Sequence, residues 1–358
     1  MTVAQQSERD YKHYVKTRKN MAKKATSKGT ISDALAILEK KHGKGAVMKL
    51  AKGEQITKVE LLPTGIYSID KALGGGFARG RVVELYGNEG SGKTTLALQT
   101  IAKAQADGLK AAFIDVEHAF SLQYARSLGV DLEELYFSQP KSAEMAMDIA
   151  KTLAQTGEFA VVVVDSVAAL TPDTEFDGEI GKAQIGHLAR FMSAALRQIV
   201  GEFHKTGTSL IFINQLRMKI GVMFGNPETT PGGNALKYYA SQRLAIRKST
   251  KIDNKEGVTI GYNALIRVEK NKIALPNIKA TVPVTNGKGF DKVADMFQVA
   301  ELLNVITKEK ASYFFNGEKL GVYEVNAKQA LYDSLDIYTA IEEAVIALNN
   351  PDESANIV

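Results

Sequence analysis

Short, nearly continuous apolar runs set the plan of this chain. RVVELY (81–86), KAAFID (110–115), FAVVVVD (159–165), SLIFIN (209–214), RLAIRK (243–248) and ALIRVEK (264–270) each read as a strand. In the earlier runs Val, Ile, Leu and Phe follow one another with little alternation, the pattern of strands covered on both faces. Helical periodicity fills the intervals between them, as in Ala143–Ala154 and Ala189–Phe203. Strands alternating with helices predict a mostly parallel sheet with right-handed crossovers. The last two runs sit closer together and read as an antiparallel pair. Met145, Ile149 and Leu153 return at helical spacing and are read as core.

The ends follow other patterns. Residues 1–29 are basic, polar and without apolar period, which predicts disorder. Contact with DNA phosphates and a merely solvated tail remain equally open for them. Thr30 or Ser32 can cap a helix reaching about Lys41, with Ile31, Leu35 and Leu38 on one face. A Gly-Lys-Gly break and a short strand, AVMKL, follow. Beyond residue 290 lies a smaller, acidic, mixed region. The expected divisions are a tail (1–29), a helix–strand arm (30–54), a core (55–290), a small domain (291–345) and a second tail (346–358).

Composition changes this picture little, and charge changes it once. The chain has 358 residues, no cysteine and a net charge of +5. Without cysteine there is no disulfide framework and no thiolate metal site. No apolar run approaches the roughly twenty residues of a membrane span, so a cytoplasmic protein is expected. The positive charge is local. Residues 1–30 carry eight Lys or Arg against two acids, whereas 295–358 carry four Lys against eleven acids. Overall basicity therefore says nothing about nucleic acid; local clusters must.

The candidate chemistry begins at Gly87-Asn88-Glu89-Gly90-Ser91-Gly92-Lys93-Thr94, which fits G-x-x-x-x-G-K-[ST]. It follows a strand and opens a helix that continues with Thr95, the context this motif requires. Glycines let backbone N–H groups close around phosphate oxygens, and the helix N-terminus adds its dipole. Lys93 is the candidate for the β- and γ-phosphates, and Thr94 for Mg2+. Asp165 ends a buried strand where open α/β sheets bind ligands, and suits Mg2+ or its water shell; Ser166 follows. Another strand ends at Asp115, and Glu117 lies just beyond it. A carboxylate there can activate water or be a plain surface acid. Gln215, past SLIFIN, is a candidate γ-phosphate contact. His118 has no second ligand in view and reads as structural.

QLRMKIGVMFGNPETTPGGNALK, from Gln215 to Lys237, is a long loop that mixes Met, Ile, Val and Phe with Gly, Pro, Thr and Asn. Loops of this length are usually functional or disordered. The residues alone favour packing against a partner protein.

Taken together, GNEGSGKTT, FIDVEHA, VVVVDSVAAL, GEIG, the loop 214–237 and KNKIALP closely resemble the bacterial RecA recombinase family, over residues 31 to about 330. The resemblance implies an α/β fold: a RecA-type P-loop ATPase core with a mostly parallel sheet, an N-terminal polymerisation arm and a small C-terminal α/β domain. It implies ATP and Mg2+ as cofactors, with Thr94 and Asp165 at the metal. Glu117 resembles the catalytic glutamate and Gln215 the γ-phosphate sensor. Lys270 and Lys272 resemble a pair that reaches the nucleotide of a neighbouring protomer, and Tyr124 the tyrosine that stacks on adenine. Asp177–Gly186, with Ile185 and Gly186 at its end, resembles a first DNA-binding loop. The helix after it carries Arg190, Ser193 and Arg197. The loop 215–237 resembles the second. There Arg217, Met218, Lys219, Gly232, Gly233 and Asn234 face DNA and Ile220 wedges between bases. Arg243, Arg247, Lys248 and Arg267 on the late strands are candidates for weak duplex binding or for an ordinary solvated edge.

The partners implied are single-stranded DNA, homologous duplex DNA, further copies in a head-to-tail filament and self-cleaving repressors, with no membrane. Three departures mark a divergent or phage-borne member. Ser121 stands where the family often has Asp, Pro231 where Thr is typical, and the acidic tail is reduced to Asp352 and Glu353. Two other classes share these features in part: a helicase or motor of the same superfamily, and a nucleotide-switched scaffold that coats DNA.

Overall fold

The computed structural model describes residues 30–44, 46–47, 59–176, 186–218, 225 and 227–349. Contacts divide the chain into Met1–Lys58 and Val59–Val358. The first unit contributes α1 (Ile31–His42), and its cap resolves to Thr30. The Thr30 hydroxyl accepts from Asp33 N while Asp33 accepts from Thr30 N, a reciprocal box that satisfies two helix-end donors. None of its residues is buried within the unit. Most of AVMKL lies outside the described residues.

The second unit opens with β1 (Leu61–Leu62), α2 (Tyr67–Leu73), β2 (Phe77–Ala78), β3 (Val82–Gly87), α3 (Lys93–Ala106) and β4 (Lys110–Asp115). Next come α4 (Leu122–Ser127), β5 (Leu135–Ser138), α5 (Ala143–Gln155), β6 (Phe159–Asp165), α6 (Asp173–Phe176), α7 (His187–Thr206) and β7 (Ser209–Gln215). A small hairpin, β8 (Arg217–Met218) with β9 (Glu228–Thr229), precedes α8 (Ala235–Tyr239), β10 (Gln242–Asp253), β11 (Thr259–Asn271), β12 (Lys279–Thr285) and β13 (Gly289–Phe290).

The main sheet runs β13-β12-β11-β10-β3-β7-β6-β4-β5. Pairing is parallel from β10 through β3, β7, β6 and β4 to β5, and antiparallel among β10 to β13. The continuous valines of β6 now have their reason. Val161 and Val163 enter the core beneath α2 and α3, whereas Val162 and Val164 enter the core beneath α5 and α7. The antiparallel extension is packed on one face. Leu244, Ile246, Ala264, Ile266 and Val268 point into the first core, and Arg247 and Arg267 point away from it, exposed.

One expectation is corrected. The buried face of α5 is Ala143, Ala146, Met147, Ala150 and Ala154. Met145 is exposed, and Ile149 and Leu153 are only partly buried at the rim of the core. Alanines let the helix axis approach the sheet, so larger neighbours are displaced to the shoulder.

The C-terminal part consists of α9 (Lys292–Leu302), the antiparallel strands β14 (Ile306–Glu309), β15 (Ser312–Phe315) and β16 (Glu318–Val322), then α10 (Tyr323–Asp333) and α11 (Leu335–Asn349). It has its own core around Met296, Phe297, Tyr313, Leu331 and Ile341. The last helix continues to Asn349, past the boundary expected at 345. Asp295 ties this part to α2, accepting from Ser68 N at 2.9 Å, while its other oxygen is buried without a partner. Burial raises the Asp295 carboxyl above its ordinary value. The native state thus holds this proton more tightly than the unfolded chain, so the stabilisation is full at low pH and lost as pH rises through the raised value. Urea midpoints should therefore fall less steeply above the ordinary carboxylate range in Asp295→Asn than in the parent; identical slopes would refute this.

Candidate functional site

Parallel pairing places four strand ends side by side. In register, Gly87 of β3 meets Gln215 of β7, and Asp165 of β6 meets Ile213 of β7 and Asp115 of β4. The loop 88–92 leaves β3 and enters α3 with Gly92 in the left-handed region at φ 101. A Cβ at Gly87 would stand 2.1 Å from the Ile246 carbonyl oxygen, so only glycine fits there. Lys93 donates to the Asn88 carbonyl at 2.9 Å, folding over the loop. Desolvation holds its ammonium below the usual value, against the pull of Asp165 and Glu117. The Ser91 hydroxyl is buried without a partner, and Glu89 is exposed.

Thr94 donates to Asp165 Oδ2 at 2.7 Å. Burial is the largest influence on Asp165 and pushes its carboxyl up to about 6, against the Thr94 hydrogen bond. The two carboxylates at this edge have different partners. Asp115 is spent on its own turn, accepting from Ala119 N, Phe120 N and Gln139 Nε2. Glu117 is exposed, and its Oε1 accepts from Ser166 Oγ at 2.5 Å and from Gln215 Nε2 at 2.9 Å. Four residues singled out in the sequence (Glu117, Asp165, Ser166 and Gln215) thus meet beside the phosphate loop. The Asp165–Ser166 peptide is cis.

A cavity of about 380 Å³ opens from the loop, lined by Gly90–Thr95 on one side and by Tyr124 and 284–287 on the other. The Tyr124 hydroxyl lies 2.8 Å from Thr95 Oγ1, which fixes the ring. Ser121 caps α4 by accepting from Tyr124 N. The wall formed by Thr285, Asn286 and Gly287 was not foreseen: it carries no motif, and only the β11–β12 pairing brings it here. Among the described residues no cluster of three or more His, Asp or Glu could hold a metal, and His118 is exposed. The oxygens of Thr94 and Asp165 alone fit a hard cation that brings its remaining ligands from phosphate and water.

The loop 215–237 has a structured base. Arg217 pairs with Thr229 and Met218 with Glu228, and both Arg217 and Met218 are exposed. Gly232 and Gly233 have positive φ and lie against the protein itself. Cβ atoms there would stand 2.9 Å from Val167 Cγ1 and 2.8 Å from Ala189 Cβ. Their glycine character is thus explained by packing against Val167 and α7. Asn234 is the exposed first-turn cap of α8. Gly186 caps α7, which presents Arg190 and Arg197 exposed with Ser193 half-buried between them. Ile185, Lys219 and Ile220 lie outside the described residues. Lys270 donates to the carbonyls of Lys237 and Tyr238, and Lys272 lies beside Gly80 and Tyr238; neither lines the phosphate-loop cavity.

The late-strand cations divide between the two faces. Arg243, Arg247 and Arg267 share one face, where Arg243 pairs with fully buried Glu84 at 2.5 Å and stacks on Tyr86, Arg247 pairs with Glu228, and Arg267 bonds Asn277. Lys248 faces the other side of the sheet, because side chains alternate along β10. Sequence reasoning also missed the Glu84 network. Asn214 donates to Glu84 Oε1 at 3.0 Å and to the Pro231 carbonyl at 3.2 Å, and its Oδ1 accepts from Gln215 N. Through Asn214, this buried carboxylate is linked to Gln215 at the start of the loop and to Pro231 within it.

A phosphate loop on a parallel, doubly covered sheet, with carboxylates at adjacent strand ends, defines a nucleotide-type P-loop protein. The comparisons narrow the class. The model of the RecA N-terminal domain matches residues 29–291. Protein RecA of Syntrophus aciditrophicus is 48% identical over 313 residues, covering 87% of this chain and 91% of its own. Protein RecA of Streptococcus parasanguinis is 45% identical over 346 residues, covering 92% and 90%. A crystal structure of the RadB recombinase aligns with TM-score 0.48 and 28% identity over 64% of this chain and 98% of that one. The chain belongs to the RecA family.

Removing Glu84 would strand a mostly buried guanidinium, a loss of about 3–5 kcal/mol. Urea unfolding should show that loss in Glu84→Ala, with Glu84→Ala/Arg243→Ala less destabilised than the two single changes added. Additive effects would contradict the pairing.

Proposed function

We propose that the chain is an ATP-dependent DNA recombinase. In this reading it binds ATP with Mg2+, polymerises on single-stranded DNA and exchanges strands with a homologous duplex. The observation that carries the reading is the contact of Glu117 with both Ser166 and Gln215. It joins the water-activating position to the first residue of the loop 215–237. A carboxylate beside the γ-phosphate can take a proton from the attacking water as the new P–O bond forms and the bond to the β-phosphate oxygen breaks, releasing ADP. Mg2+ would neutralise phosphate charge between Thr94 and Asp165. Lys93 holds the phosphates, and Tyr124 offers its ring to the base.

Gln215 leaves Glu117 when it turns to a γ-phosphate, and the hairpin it begins can move with it. Exposed Arg190, Arg197 and Arg217 then contact the DNA backbone, with Met218 and Ile220 against bases. Lys270 and Lys272 serve the neighbouring protomer's nucleotide, in keeping with their distance from the chain's own cavity. The arm 30–54 supplies a strand to the edge of a neighbour's sheet; β5, one edge, carries half-exposed Tyr136 and Phe137. The divisions 55–290 and 291–345 serve as ATPase core and accessory domain. Stimulation of repressor self-cleavage belongs to the same reading, as does a cytoplasmic location. Among the described residues no helix is long and apolar enough to cross a membrane.

ATP hydrolysis measured with and without long single-stranded DNA tests this. We expect stimulation of about tenfold or more, none in Lys93→Ala, and retained nucleotide binding without turnover in Glu117→Gln. A loss of about 10²-fold or more is typical when a proton-transfer group is removed. A rate indifferent to DNA would favour the scaffold reading, and unwinding without a homologous partner the motor.

A further inference from the structure

Arg247 and Lys248 are neighbours in sequence and point to opposite faces of the sheet. Arg247 pairs with Glu228 at the base of the hairpin. Lys248 lines the phosphate-loop cavity, on the same face as Ile246 and Leu244. Tyr262 of β11 stands on that face too, packed against the first core. Its hydroxyl donates to the Gly90 carbonyl at 3.2 Å, and the Lys248 ammonium lies 4.9 Å from its ring centroid. A Cβ on Gly90 would be 3.1 Å from Lys248 Nζ, and one on Gly92 3.2 Å from the Tyr262 hydroxyl. Gly90, a position the loop motif leaves free, has a positive φ of 64 and so takes glycine for its backbone, with the Lys248 ammonium directly over it.

Resting on the nucleotide-binding reading above, we propose that Lys248 and Tyr262 belong to the nucleotide site: Tyr262 latches the phosphate loop through Gly90, and Lys248 supplies the phosphate chain with a second cation beside Lys93. A tyrosine hydroxyl is a donor at neutral pH, and burial pushes that of Tyr262 up further, to about 12. The ring contact pre-orders a flexible ammonium before ligand arrives, which lowers the entropy lost on binding. A triphosphate carries more charge than Lys93 alone can offset. Lys93 is itself desolvated, so a solvent-facing cation at the cavity wall complements it. Duplex binding loses one of its candidate residues by the same geometry.

The test is titration of a fluorescent N-methylanthraniloyl-ADP with Mg2+ in the absence of DNA. A charge-assisted contact predicts a Kd raised about tenfold in Lys248→Ala, with binding recovered in Lys248→Arg. Tyr262→Phe keeps the ring and loses the latch, so a smaller rise of about threefold is expected, within the span of one neutral hydrogen bond. Duplex DNA binding at saturating ATPγS should keep its salt slope in Lys248→Ala. Unchanged nucleotide affinity together with a salt slope reduced by about 0.9 would make Lys248 a duplex phosphate contact and overturn the inference. Lys93→Ala is the reference. Undiminished nucleotide binding in that variant would overturn the nucleotide reading itself.

Discussion

Ser166 and Gln215 both donate to one oxygen of Glu117, and neither could do so without parallel pairing of β4, β6 and β7. Each strand delivers its last residues to the same rim. The phosphate loop leaves β3 at that rim as well. A carboxylate, a buried aspartate, an amide and a lysine therefore converge from four separate stretches of chain. The apolar continuity of those strands is what fixes their level, because a slip by one residue would turn every valine of β6 to the wrong core.

Beneath the rim, charge is placed sparingly. Glu84 is fully buried on β3 and is matched by Arg243, Asn214 and, through them, the backbone of Pro231. A buried ion pair contributes little net stability, but an unmatched partner is costly, so the pair fixes register firmly. Gln215 and Pro231 of the loop are thereby tied to one point. Lys270, at the far end of β11, is occupied by the last carbonyls of α8, a favourable place for a cation. Two lysines of similar sequence context, Lys248 and Lys270, thus serve different ends of the sheet.

Much of this was legible in the sequence. The strand runs 110–115 and 159–165 match β4 and β6 end for end, and the Gly87–Thr94 motif fell between a strand and a helix as its chemistry requires. Glu117, Ser166 and Gln215 could be named because each follows a strand. Other features were hidden by pairing that no local pattern encodes. The wall at 284–287 depends on which strand lies beside β11. The separation of Arg247 from Lys248 was available from period-two alternation, but a cluster of basic letters obscured it. On α5, the larger apolar residues drew attention that belonged to the alanines. The residues of the long apolar loop name no role by themselves; the resemblance to the family implies one, contact with DNA.

In the reading proposed above, nucleotide state passes through Glu117 and Gln215 into the loop 215–237. Hydrogen exchange of loop peptides, with and without ATPγS, measures this directly. The account predicts that ATPγS changes protection of 215–237 in the parent chain and not in Gln215→Ala, while peptides over 87–95 gain protection in both. Equal changes across the loop in both proteins would contradict it.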